Sequence, residues 1–222
     1  MQMFFKPIRD ISEKYNIMQA AMASTERIFE FMDHREEETP DPSGGHVPGR
    51  IRGRVEFREV SFEYVPNQPV LREVSFRVRP GEMVALVGPT GSGKTTLIHL
   101  LERLYEPKSG AIDLDGMDLR EWPRRVLRSR IGLVMQDVFL FAGTVFDNVA
   151  LGREGVGPAQ VEQALGEANA RSFVDRLRGG LHHEIGEGGA TLSAGERQLL
   201  SFARALASAP SILILDEATS SV

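Results

Sequence analysis

The chain is 222 residues long, 41% hydrophobic and 26% charged, which excludes a disordered or fibrous protein. Its net charge of −5 excludes a broad basic field for nucleic acid, so any phosphate contact must be local. Having no cysteine, it can build neither a disulfide nor a thiolate metal site, and no apolar run reaches the roughly 18 residues that a membrane span needs. Phe4, Ile8, Ile11, Tyr15, Met18, Met22, Thr25, Phe29 and Met32 recur at alternating spacings of four and three, predicting one long helix over residues 1–34 with a narrow heptad seam. A helix packed on its own domain shows a wider apolar face, so the seam points to another chain or to sequence outside this one. Residues 35–54 run from an acidic stretch through Pro40-Asp41-Pro42-Ser43-Gly44-Gly45 to Arg50, Arg52 and Arg54, predicting a solvated, mobile linker.

From Val55 the apolar period changes to two. Val55 and Phe57, then Val60, Phe62 and Tyr64, then Val74, Phe76 and Val78 predict antiparallel strands with turns at Pro66-Asn67 and Pro80-Gly81. Met83-Val84-Ala85-Leu86-Val87 and Ile212-Leu213-Ile214-Leu215 are apolar on both faces, as strands of a buried parallel sheet are. Helical periodicity covers Val161 to Val174 and Leu199 to Ala207, and Arg124 to Arg130 reads as a solvated helix face.

Chemistry concentrates in Gly88-Pro89-Thr90-Gly91-Ser92-Gly93-Lys94-Thr95, a complete phosphate-loop pattern set after a predicted strand and before the predicted helix opening at Thr96. Glycines let consecutive N–H groups converge on phosphate oxygens, and the helix N-terminus adds partial positive charge. Lys94 supplies a cation for the β and γ phosphates, and Thr95 offers its hydroxyl to magnesium. Asp216 and Glu217 follow Gly88 by 128 and 129 residues at the end of an apolar strand, where Asp216 would hold the metal and Glu217 would act as base toward water.

Residues 55–222 resemble the nucleotide-binding domain of ATP-binding cassette transporters, specifically exporters in which that domain follows the membrane helices on one chain. The resemblance implies an α/β fold: a P-loop parallel-sheet core, an antiparallel β subdomain and a helical signature subdomain. The first helix would then be the cytoplasmic end of the last transmembrane helix. It also implies ATP and Mg²⁺ as cofactors, with adenine stacked on Tyr64, the phosphates held by residues 88–96 including Thr96, and Gln136 meeting magnesium and sensing the γ-phosphate. The signature corresponds to Leu192-Ser193-Ala194-Gly195-Glu196, so Ser193, Gly195 and Glu196 would face the nucleotide of a second nucleotide-binding domain. Ser193 and Glu196 also form a Ser-x-x-Glu capping box in their own right. Ala194 and Glu196 depart from the family's Gly-Gly-Gln; Ala194 is tolerated only in helical backbone, and the Glu196 carboxylate should turn back toward Ser193.

By the same resemblance, Glu187 would touch intracellular loops of the membrane domain, while Phe139, Leu140 and Phe141 read equally as a cleft for a coupling helix or as core. The implied site is the cytoplasmic face of the inner membrane, with no nucleic-acid partner. The expected interfacial aspartate and switch histidine of the family would lie past Val222. Two other readings are a soluble cassette ATPase of DNA maintenance, disfavoured by the short spacing between the two phosphate motifs, and a nucleotide-binding module without turnover.

Overall fold

The computed structural model describes residues 2–33, 41, 49 and 51–216, with side chains from Asp10 onward. The chain divides into two units, Met1–Pro40 and Asp41–Val222. In the first, the spacing of four and three is realised as one helix, α1 (Gln2–Asp33). Ile11, Tyr15, Met18, Met22, Phe29 and Met32 along its seam are each more than half exposed. No described helix is long and apolar enough to cross a membrane.

The second unit opens on the hairpin β1 (Val55–Val65) and β2 (Gln68–Val78), closed by the two-residue turn Pro66-Asn67. Asn67 takes the left-handed conformation (φ 67°) such a turn requires, which asparagine tolerates better than other side chains. Each strand carries an irregularity at a glutamate with positive φ, Glu59 and Glu73, and each freed N–H is taken by a serine of the other strand, Ser75 and Ser61. After the helix α2 (Lys94–Leu101) come β3 (Ser109–Leu114), antiparallel to β1, and the short β4 (Met117–Asp118), giving the order β2-β1-β3-β4. Val55, Phe57, Val60 and Phe62 bury one face of this sheet with Leu71, Ile112, Leu114, Trp122 and Leu100 of α2. Neither β3 nor β4 was evident from periodicity, because two residues of β3 are glycine and aspartate and β4 is only two residues long.

The linker expectation needs correction at its end. The Asp115 carboxylate accepts hydrogen bonds from the backbone N–H groups of Arg52 (2.6 Å), Gly53 and Arg54 (2.8 Å), pinning residues 52–54 to the β3–β4 turn. Gly53 sits there at φ +85°, and a Cβ on it would stand 2.7 Å from the Ser211 carbonyl oxygen. Farther back, the Asp41 carboxylate accepts the Arg124 N–H at the start of α3 (Arg124–Ser129), a helix whose own N-cap is a proline without a capping side chain. Asp41, Arg52 and Arg54 are exposed, as a solvated linker requires, but they are anchored by these bonds and Gly53 is buried; most of the remaining linker lies outside the described residues.

The parallel core among the described residues is the pair β5 (Ile131–Val134) and β8 (Ile212–Leu215), in register from Ile131↔Ile212 to Val134↔Leu215. A helical layer follows: α4 (Val145–Ala150), α5 (Pro158–Glu167), α6 (Arg171–Val174) and α7 (Ala194–Leu206), with a small antiparallel pair, β6 (Gly143–Thr144) and β7 (Glu184–Ile185). Its core is Leu140, Val145, Val149, Val161, Leu165, Phe173, Ile185, Leu192 and Leu200. The helix read over Val161–Val174 is two helices, because Asn169 takes φ 55° and ends the first. A larger correction concerns residues 83–87, which form no strand: Met83 and Val87 are 98% and 93% exposed. No described strand lies against them, and an apolar segment without a hydrogen-bonding neighbour has no ladder to join.

Candidate functional site

The phosphate loop runs straight into α2. Gly93 is its N-cap in a left-handed conformation (φ 89°), and it is buried so tightly that a Cβ would lie 2.6 Å from Leu71 Cδ2. Gly91 also has positive φ (81°), and Ser92 N–H donates to the Pro89 carbonyl to close the turn. Two glycines forced by geometry thus aim the start of α2 and its free N–H groups outward. Gly88, Pro89 and Thr90 are exposed, as is Thr95, and Lys94 Nζ donates to the carbonyls of Gly88 (2.8 Å) and Pro89 (3.1 Å), which holds the ammonium over the loop.

Register of the parallel pair unites two residues that are 80 positions apart. Val134 pairs with Leu215, and the Asp216 N–H donates to the Val134 carbonyl at 3.0 Å. Asp216 and Gln136 therefore emerge at the carboxyl ends of adjacent parallel strands, the place where open α/β sheets bind ligands. Gln136 is exposed and Asp216 half-buried. Glu217 lies outside the described residues. The Thr95 hydroxyl, Gln136 amide and Asp216 carboxylate offer only hard oxygen donors with one charge among them, chemistry that suits Mg²⁺. No cluster of three histidine, aspartate or glutamate side chains able to hold a metal occurs among the described residues, so an ion here would depend on the nucleotide for part of its coordination.

Tyr64, near the end of β1, is 45% exposed. Its hydroxyl donates to Thr96 Oγ1 of α2 at 3.2 Å, and Thr96 is itself buried. Periodicity showed Tyr64 but not its neighbours: His99 Nδ1 lies 3.2 Å from the same hydroxyl, and the Tyr105 ring meets Tyr64 edge-on at 5.0 Å. The spacing of Thr96 and His99 by three on α2 was the available signal.

The signature helix α7 opens as its sequence requires. Ser193 is the N-cap; its Oγ accepts the Glu196 N–H, and the Glu196 carboxylate accepts both the Ser193 N–H and its hydroxyl at 2.9 Å. Those bonds from Ser193 hold the Glu196 carboxyl below its ordinary pKa. Ala194 is the first helical residue and has no left-handed strain, which settles the concern over its methyl. Ser193, Ala194 and Gly195 are exposed, and no atom would obstruct a Cβ at Gly195. Leu140 belongs to the core, whereas Phe139 and Phe141 are about half exposed and meet edge to face at 5.0 Å. Glu187 is exposed at the start of a single 3₁₀ turn, Glu187–Gly189.

The ABC transporter family model matches residues 71–220. The chain belongs to the ABC transporter family. A fatty acid ABC transporter ATP-binding/permease protein of Mycobacterium bovis is 44% identical over all 222 residues, which span 35% of that protein. An ATP-dependent lipid A-core flippase of Chromobacterium violaceum is 46% identical over 98% of this chain and 37% of its own. The solved structure of a bacterial Atm1-family ABC exporter with ATP bound superposes with a TM-score of 0.80 at 36% identity, covering 94% of this chain and 36% of that one. The chain thus spans about a third of the length of these relatives, and the α/β fold is that of the ABC exporter nucleotide-binding domain. As a member of this ATPase family, its nucleotide-binding role rests on the whole matched segment and not on the phosphate loop alone.

Proposed function

We propose that this chain is the ATP-driven motor portion of an ABC exporter, with α1 as the cytoplasmic extension of a membrane helix, working at the cytoplasmic face of the membrane. The observations that support this reading are the glycine-shaped start of α2, with Lys94 held over its loop and Thr95 exposed, and the paired strand ends bearing Gln136 and Asp216. Magnesium, when bound with ATP, supplies charge neutralisation between the β and γ phosphates. Lys94 exchanges its carbonyl contacts at Gly88 and Pro89 for phosphate oxygens, gaining anionic acceptors in place of neutral ones. The α2 N-terminus and loop N–H groups hold the β-phosphate, and Tyr64 stacks on adenine. Glu217 orients water in line with the γ-phosphate and takes its proton.

A second copy or a homologous partner domain would close the site by presenting Ser193 and Gly195, whose exposure at the free end of α7 leaves them accessible to another chain's nucleotide. Closure by ATP moves the membrane portion because a ligand shifts a conformational equilibrium only through its differential affinity for the two states. In the full-length protein in lipid vesicles, Lys94→Ala should abolish Mg-ATP binding, and Glu217→Gln should retain binding while cutting hydrolysis by about 10²-fold or more. Undiminished turnover in Glu217→Gln would remove Glu217 as the base, and undiminished binding in Lys94→Ala would remove the phosphate site itself.

A further inference from the structure

Tyr64 is held at more points than a surface ring needs. Phe62 packs edge-on against it at 4.8 Å, Tyr105 does the same at 5.0 Å, and its hydroxyl reaches α2 at both Thr96 Oγ1 and His99 Nδ1, each at 3.2 Å. His99 is half-buried, and its ring centre lies 5.9 Å from that of Tyr105. Thr96 and His99 are three apart, so they share one face of α2, the helix whose first residues are Lys94 and Thr95. A tyrosine hydroxyl has a single proton. With that proton given to Thr96 Oγ1, the contact with His99 is a bond only if Nδ1 carries hydrogen and donates to the tyrosine oxygen. Thr96 Oγ1 is thereby an acceptor for Tyr64.

We propose that His99 is a positioning residue for the nucleobase: with Thr96 it clamps Tyr64 to the phosphate-binding helix, so that the adenine platform and the phosphate cradle move as one body. This deepens the reading of Tyr64 as the adenine-stacking ring and rests on it. The physical benefit is preorganisation. A ring free to rotate loses conformational freedom when a base stacks on it, whereas a ring already fixed at its hydroxyl and two edges does not. Affinity contributed by the base should then depend on groups that never touch the base.

The test is to compare, in the full-length protein, the affinity for Mg-ATP with that for magnesium tripolyphosphate, which has the phosphates and no base. Tyr64→Ala removes the platform, Tyr64→Phe keeps the ring and removes its hydroxyl, His99→Phe keeps a ring and removes the donor, and His99→Asn restores an amide donor near the Nδ1 position. We expect Tyr64→Phe and His99→Phe each to weaken ATP binding by about 2–10-fold, the size of one modest hydrogen bond, with the double variant no weaker than either alone. Tyr64→Ala should weaken it further, His99→Asn should stay near wild type, and tripolyphosphate should bind all four alike, which also reports that α2 is intact. Loss of ATP affinity in Tyr64→Ala with none in His99→Phe would overturn the clamp and leave the stacking ring standing. Equal loss for ATP and tripolyphosphate in His99→Phe would overturn it too, by making His99 a support of the helix alone. No loss in Tyr64→Ala would overturn both the clamp and the stacking reading.

Discussion

Residues 83–87 and β8 are near twins in composition, one reading Met-Val-Ala-Leu-Val and the other Ile-Leu-Ile-Leu, yet only the second is a strand. β8 has β5 beside it, with four residues in parallel register, and α7 packs on β5. Gly132 makes that three-way approach possible: a Cβ there would stand 2.8 Å from the Ala205 carbonyl oxygen, 2.9 Å from Pro210 Cγ and 3.2 Å from Leu213 Cδ1. Residues 83–87 have no such neighbour among the described residues, and Met83 and Val87 are almost fully exposed, whereas Leu213 and Leu215 of β8 are a little under half exposed and Ile212 and Ile214 less so. Hydrophobicity selects which segments gain from burial, but a strand exists only where a second backbone supplies donors and acceptors in step with its own.

That contrast can be broken experimentally. Ile131→Ala, at the buried start of β5, should cost about 2–5 kcal/mol in urea unfolding of the 222-residue chain. Gly132→Ala should cost about 1–3 kcal/mol, since the obstructing atoms include a backbone carbonyl that cannot swing aside. Ser193→Ala, which removes the cap of α7, should cost about 1 kcal/mol and fray the first turn of the signature helix in amide exchange. Val87→Ser in the same chain should change stability by no more than about 0.5 kcal/mol, as an exposed position does. A loss at Val87 matching that at Ile131 would mean that residues 83–87 are paired in solution, and the contrast would be gone.

Acid offers a finer probe of the assembled side. The Glu196 carboxyl is held below its ordinary pKa by the two bonds from Ser193, and Asp147 is lowered in the same way by the Thr144 hydroxyl and N–H at the start of α4. A carboxyl depressed in the folded state stabilises fully above its unfolded pKa, and that contribution disappears as pH falls through the lowered folded value. Both caps should therefore stay intact at neutral pH and loosen only below the ordinary carboxylate range of about 4. Following the Ser193 and Glu196 amide resonances from about pH 6 to about pH 3 checks this, and Glu196→Gln should erase the Ser193 transition while leaving that of Thr144 in place.

The phosphate loop, the capping box at Ser193 and the β1–β2 hairpin were legible because each is local. Glycines at Gly91 and Gly93, a Ser-x-x-Glu spacing and a Pro-Asn turn state their backbone geometry within a few residues. The anchoring of residues 52–54 was not legible because its anchor, Asp115, is more than 60 residues away. The break at Asn169 was missed because apolar periodicity continued across a residue that could turn left-handed at small cost. His99, on α2, went unnoticed because its significance depends on a tyrosine 35 residues earlier on β1.

By itself, then, the sequence determined where the chain can bend, cap a helix and grip phosphate, since those properties reside in the φ preferences and donor groups of adjacent residues. Tertiary structure decided which apolar segment became a strand, that Gln136 and Asp216 would emerge side by side, and that Tyr64 would be tied to α2. Those outcomes depend on hydrogen-bond register and close packing between distant segments, which no single stretch of residues encodes alone.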